Sequence, residues 1–264
     1  MKKLFLFVAL GALLMPRLAT AQSAFDGTWK IDMNKVDFSK KPDVFVLQNG
    51  MYSCKTCVPA YDVKADGADQ SVSGHPYYDT VAIKVVSDHA IEETDKKNGK
   101  VVSTSTSTVS SDGDTLMFTF SDSSNTNGGP PVTGKGEAKR VAKGPAGSNA
   151  ISGSWRTTKI EGLSDNAIVW TYKVSGDEIT MTNLTGQSYI AKLNGTDAPM
   201  KGDPGITSVS VKMKGKDTLE ETDKREGKVI SVFKMTVAAD GKTAKASVDD
   251  KLQNRTTDFD VTKQ

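Results

Sequence analysis

The sequence has few of the residues from which most active sites are assembled. Among its 264 residues there are two histidines and two cysteines. Zinc sites take three or four nitrogen, sulfur or oxygen ligands at recognisable spacing. His75 and His89 have no such company and read as lone surface-loop residues, so neither a metal nor any other cofactor is expected. No Gly-x-Ser-x-Gly elbow is present to carry a serine nucleophile, and no glycine-rich phosphate loop ends in a lysine. Aromatic residues make up 7% of the chain, too few for stacking platforms, and its lysines are interleaved with acids, as in Asp95-Lys96-Lys97 and Asp223-Lys224-Arg225. A solvated surface is expected from that pattern, and nucleic acid is not expected as a partner. Beyond the N-terminal stretch no apolar run approaches the roughly 20 residues of a membrane helix. The lipid-facing rows and aromatic girdles of an outer-membrane barrel are missing as well.

What is present begins with an address. Met1-Lys2-Lys3, an apolar run from Leu4 to Met15 and Ala19-Thr20-Ala21 have the three parts of a secretory signal peptide over 1–21, cleaved after Ala21. Export to the periplasm or beyond is expected. Removal of Lys2, Lys3 and Arg17 with no acid would take the formal charge from +2 to −1. Cys54 and Cys57 would then sit where disulfides persist.

The strongest internal signal is repetition. The segment Ile91-Glu92-Glu93-Thr94-Asp95-Lys96-Lys97-Asn98-Gly99-Lys100-Val101-Val102-Ser103 returns as Leu219-Glu220-Glu221-Thr222-Asp223-Lys224-Arg225-Glu226-Gly227-Lys228-Val229-Ile230-Ser231. Gly27-Thr28-Trp29 likewise returns as Gly153-Ser154-Trp155, and Tyr61, Gly67, Asp69, Gly74 and Pro76 match Tyr189, Gly195, Asp197, Gly202 and Pro204. A first repeat over 22–142, a linker at 143–150 rich in small and turn-forming residues, and a second repeat over 151–264 are expected.

Within each unit the hydrophobic period is two: Val81, Ile83 and Val85 alternate with polar or small residues, as do Val209, Val211 and Met213. Turn signals such as Asn49-Gly50, Asn98-Gly99, Glu226-Gly227 and Asp240-Gly241 punctuate the pattern. An all-β protein follows, with two tandem antiparallel meander barrels of eight or nine strands each. A sandwich is the alternative.

The Gly-x-Trp starts, Gly27-x-Trp29 and Gly153-x-Trp155, resemble those of lipocalin-like (calycin) barrels, and the chain also resembles uncharacterised exported bacterial proteins with G-[ST]-W starts and late D-G-[DK]-T turns. The resemblance implies that each Trp plugs a barrel end beneath a basic residue from the last strand. Arg140 is then the expected partner of Trp29, and Lys263 that of Trp155. A large apolar ring at the start of a strand also needs no ligand to explain it, because it buries well in a core.

Two motifs remain. Cys54-Lys55-Thr56-Cys57 lies among strands, so a disulfide closing a two-residue turn is expected in preference to a redox site, with Thr182 and Thr185 at the matching places of the second copy. If Asn98-Gly99 makes a two-residue turn, Glu92 falls opposite Ser105, and the same register sets Glu220 opposite Phe233. Should that face point inward, Glu92, Ser105, Glu220 and Phe233 would line the lumens and the two acids would be buried with raised pKa values. Should it point outward, they belong to a solvated strand pair.

The expectation is therefore a non-catalytic exported protein that binds a small apolar or amphipathic ligand. The alternative is a structural or protein-interaction module of the bacterial cell envelope.

Overall fold

The structure, a computed structural model, describes residues 23–264, so the expected signal peptide lies outside the described residues. The strands run β1 (Gly27–Asp37), β2 (Asp43–Gln48), β3 (Met51–Cys54), β4 (Tyr61–Lys64), β5 (Gln70–Ser71), β6 (Thr80–Ser87), β7 (Ala90–Lys97), β8 (Lys100–Val109), β9 (Thr115–Asp122) and β10 (Val132–Lys143). They continue as β11 (Gly153–Glu161), β12 (Val169–Ser175), β13 (Glu178–Asn183), β14 (Ser188–Lys192), β15 (Asn194–Pro199), β16 (Ser208–Met213), β17 (Thr218–Arg225), β18 (Lys228–Val237), β19 (Thr243–Asp250) and β20 (Arg255–Lys263). They form two nearly closed antiparallel barrel-like sheets of ten strands each, where eight or nine were expected. The strand the sequence conceals in the first unit is β5, only two residues long and too short to show a period. Beyond the short edge strands, Asp66 bridges to Lys84 in β6 and Ser188 to Lys201, so little of either edge is left open.

The sheets do not follow the division at 143–150. The first is ordered β4-β3-β2-β11-β10-β9-β8-β7-β6-β5, the second β14-β13-β12-β1-β20-β19-β18-β17-β16-β15. The opening strand of each half is thus seated in the other half's sheet: β1 between β12 and β20, and β11 between β2 and β10. The 143–150 segment begins at the last residue of β10 and runs into the connection to β11, its neighbour within one sheet. The chain actually crosses between sheets at 38–42 and at 162–168, the latter holding a 3-10 turn, Asp165–Ala167. Local chemistry permits this. Where the chain reverses into a tight hairpin, Asn49-Gly50, Asn98-Gly99 and Glu226-Gly227 supply consecutive positive φ values. No such pair lies between Asp37 and Asp43, where Pro42 instead biases its neighbour toward extended backbone.

The exchange also changes the tryptophan partners. Arg140 lies over the Trp155 ring, 3.9 Å from its centroid, and Lys263 lies 4.8 Å from that of Trp29. This reverses the expected pairing of Arg140 with Trp29 and Lys263 with Trp155. Both indoles are fully buried, and their Nε1 atoms donate to the Ile151 and Phe25 carbonyls at 2.8 Å. Arg140 is fixed by donating to the Ser152 carbonyl at 2.7 Å and the Ala150 carbonyl at 2.8 Å. The geometry explains the glycine of Gly-x-Trp: Gly153 has φ +144°, and a Cβ there would come within 2.5 Å of the Ala142 oxygen.

The cysteines form a disulfide with Cα atoms 5.5 Å apart. Cys54 pairs with Tyr61, so the connection between β3 and β4 is longer than a two-residue turn and the bridge closes only its first part. In the other sheet Met181, not Thr182, faces the matching Tyr189. Four residues is a small loop to close, so Cys54→Ser with Cys57→Ser should cost at most about 2 kcal/mol in chemical denaturation.

Candidate functional site

In β6 the inward side chains are Val81 and Ile83, both fully buried, and directly across in β7 lie Asp95 and Glu93. The second sheet has the same arrangement: Val209 and Val211, fully buried, face Asp223 and Glu221. Acids opposite core valines must point to the interior, because side chains on neighbouring strands share a face at each paired position. Ile91 and Leu219, two places before the first acid of each pair, are buried on the same face.

The register that brings this about contains a one-residue bulge. Lys97 pairs with Lys100 as the turn demands, but the pairing shifts between Asp95 and Lys96, so that Glu93 meets Ser105 and Glu92 meets Thr106. The same shift sets Glu221 opposite Phe233 and Glu220 opposite Lys234. The extra residue is Val102 in β8 and Ile230 in β18, so those strands change face beyond it while β7 and β17 do not. Glu92 and Glu220, one place out of step with the inward acids, lie outside, paired with Lys84 at 2.9 Å and Lys214 at 3.1 Å. Ser105 and Phe233 share the inner face with Glu93 and Glu221, two acids that the expected register does not select.

In the first sheet the Tyr61 hydroxyl donates to Glu93 Oε1 at 3.0 Å. Burial pushes the Glu93 pKa up against that bond, and it pushes Asp95 to about 8, aided by Glu93 and Asp122. Asp95 is therefore largely neutral at pH 7. Its Oδ1 is buried with no hydrogen-bond partner among the described residues. Tyr52, Tyr61 and Tyr78 are raised by burial and by the same carboxylates. His75 is not the surface residue expected. It is buried, stacked on Tyr78 with centroids 4.6 Å apart and edge-on to Tyr61 at 5.7 Å. Its Nε2 lacks a partner, and burial lowers its pKa. His89 is exposed.

In the second sheet Glu221 and Asp223 are 7% and 8% exposed. Tyr189 donates to Glu221 Oε2, with Tyr172 at 3.5 Å from the same oxygen, and the Ser231 hydroxyl donates to Asp223 Oδ2. Burial raises both acids; Asp223 raises Glu221 further, while Ser231 and Glu221 hold Asp223 down, and Asp223 Oδ1 accepts from no hydroxyl or amide among the described residues. An aromatic wall stands beside them: Trp170 meets Phe233 edge-on at 6.0 Å and Tyr172 at 6.3 Å. The place of Trp170 is taken in the first sheet by Asp43, each lying opposite the exchanged strand's tryptophan. Asp43 is bound by Arg255 of the second sheet at 2.6 Å.

Along β18, Val237 and Met235 are buried, while Phe233 and Ser231 are only partly so. A groove of about 290 Å³ lies between the two sheets beside the 38–42 crossing, bordered by Asp43, Thr157 and Ile160 of the first sheet and by Val248, Asp250 and Thr257 of the second. Among the described residues no group of three or more His, Cys, Asp or Glu side chains is placed to hold a metal ion. None of their helices is long and apolar enough to cross a membrane, which leaves β-barrel spanning unaddressed. The disulfide fits an extracellular protein. Comparison of the chain with protein-family models and with curated protein sequences finds no match.

Proposed function

We propose that the protein is an exported, non-catalytic, lipocalin-like carrier of small amphipathic molecules, held within its barrels. The observation that carries this reading is the same in both sheets. An apolar inner face floored by a tryptophan gives way to a Glu-x-Asp pair with tyrosine and a carboxylate oxygen left without a partner. Leaving a buried polar atom unpaired costs about 1–3 kcal/mol, and a bound polar head would recover it. The apolar part of the same molecule would lie against the core side chains. Export rests on the pattern over 1–21 and fits the disulfide.

Protein taken from the envelope or medium of the producing cells should retain a small molecule in native mass spectrometry and release it on solvent extraction. An empty protein that also fails to titrate with any alkyl amphiphile would overturn the proposal. If that empty protein gave one specific cross-link to an envelope protein in intact cells, the interaction-module reading would take its place.

A further inference from the structure

We propose that the second barrel selects a particular head group: an organic ammonium ion, held between Asp223, Glu221 and the aromatic wall of Trp170, Tyr172 and Phe233. The inference rests on the amphiphile-carrier reading and narrows it.

Three observations point to a cation. Asp223 is more than nine-tenths buried, lies on the inner face opposite Val209 and Ser231, and keeps Oδ1 without a partner. An oxygen of the ionised carboxylate is satisfied by a donor, and an ammonium supplies one together with the opposite charge. The aromatic rings meet edge to face around Trp170, and such rings attract cations over their faces. The third observation is the contrast with the first barrel. There Phe45 keeps an aromatic ring at the place of Tyr172, but the places of Trp170 and Phe233 are taken by Asp43, already bound by Arg255, and Ser105. The acids are common to both interiors, but the Trp170 and Phe233 wall belongs to one. The Trp170 Nε1 donor is also buried without an acceptor, which an oxygen on the same ligand would supply.

Proton balance follows from the surroundings of the acids. The titratable and charged groups that act on them are Tyr172 of β12, Tyr189 of β14 and Asp203 of the turn before β16, with Ser231 of β18 as a neutral hydrogen-bond donor. None is a cation; burial favours the protonated forms, and the hydroxyls of Tyr189 and Ser231, which donate to the pair, offset it only in part, so both acids stay raised. When R–NH₃⁺ binds, a carboxylic acid gives up its proton to solvent and the resulting carboxylate accepts the ammonium N–H. One positive charge enters and one leaves.

Calorimetric titration at pH 7 with octylammonium, octanol and octanoate keeps the tail constant and changes the head. Octylammonium should bind at least tenfold more tightly than either of the others. Buffers of different ionisation enthalpy should report about one proton released per ammonium bound. Asp223→Asn should abolish both the preference and the proton release, Phe233→Ser should weaken the preference without changing the proton count, and Glu220→Gln, on the outer face, should change neither. Circular dichroism checks that each variant folds. Equal binding of octanol and octylammonium with no proton release would overturn the ammonium assignment and leave the carrier reading standing. No binding of any of the three would overturn both.

Discussion

Replacing Trp29 with alanine will destabilise the protein by about 3–5 kcal/mol, and the damage will fall in the second sheet although Trp29 belongs to the first half of the sequence. The side chain is fully buried in a core shared with Tyr172, Leu219, Met235 and Val261. Its backbone pairs with Trp170 on one side and Lys263 on the other. Truncation removes the indole's buried area, its bond to the Phe25 carbonyl and the ring beneath Lys263. Hydrogen exchange read by mass spectrometry should therefore accelerate in 169–263 and stay near the parent rate in 43–122. Trp155→Ala should give the reverse, since Trp155 packs with Leu47, Val81 and Leu116. Faster exchange confined to the mutated residue's own half would contradict the exchange of strands.

Stability should fall as pH rises from about 5 to about 8. Glu93, Asp95, Glu221 and Asp223 all have folded-state pKa values raised by burial, that of Asp95 to about 8. The unfolded chain releases these protons near pH 4, so between there and the raised values the folded state binds more protons than the unfolded one. Each unit of pH then costs about 1.4 kcal/mol for each group still protonated when folded. His75 opposes this below about pH 6.5, because its lowered pKa keeps the folded imidazole neutral while the unfolded one takes a proton. One histidine against four acids does not reverse the sign. Urea denaturation at several pH values should show the decline, and Asp95→Asn should flatten it, matching the parent near pH 5 and exceeding it near pH 8. A parent whose stability rises over that interval would contradict the buried, protonated acids.

Much of the fold was legible because β-structure is written locally. The alternation at Val81 and Ile83 and the positive-φ turns at Asn98-Gly99 and Glu226-Gly227 depend on residues close in sequence and stand as read, whereas Val85, read as part of the same buried row, is exposed at the strand's end. Two things were not local. The strands that receive β1, β12 and β20, lie more than a hundred residues away in sequence. The Gly-x-Trp start does not tell the two slots apart, since each offers a basic side chain over the ring. The only local hint was the missing tight turn before Pro42.

The acids were hard to place for a different reason. A single bulge, at Val102 in β8 and Ile230 in β18, moves Ser105 and Phe233 from the face of Glu92 and Glu220 to that of Glu93 and Glu221, while Glu92 and Glu220 stand on the solvated face that was one of the two readings. Ile91 and Leu219 carried the correcting signal, being apolar and in step with Glu93 and Asp95, and with Glu221 and Asp223. Acids in step with core residues are inner acids, however costly their burial. His75 was hidden because its burial comes from Tyr78 in its own loop and from Tyr61 of β4, against which the connection between β5 and β6 folds back.

The central claim is that ligand binds inside the barrels, at the acids, and not in a surface groove. Nuclear magnetic resonance of protein labelled at methionine, valine and isoleucine methyl groups, titrated with octylammonium, tests it directly. The account predicts shifts at Met181, Val211 and Met235 inside the second sheet, with exposed Met51, Val58 and Val141 unmoved. Shifts at those exposed methyls with the interior silent would contradict it.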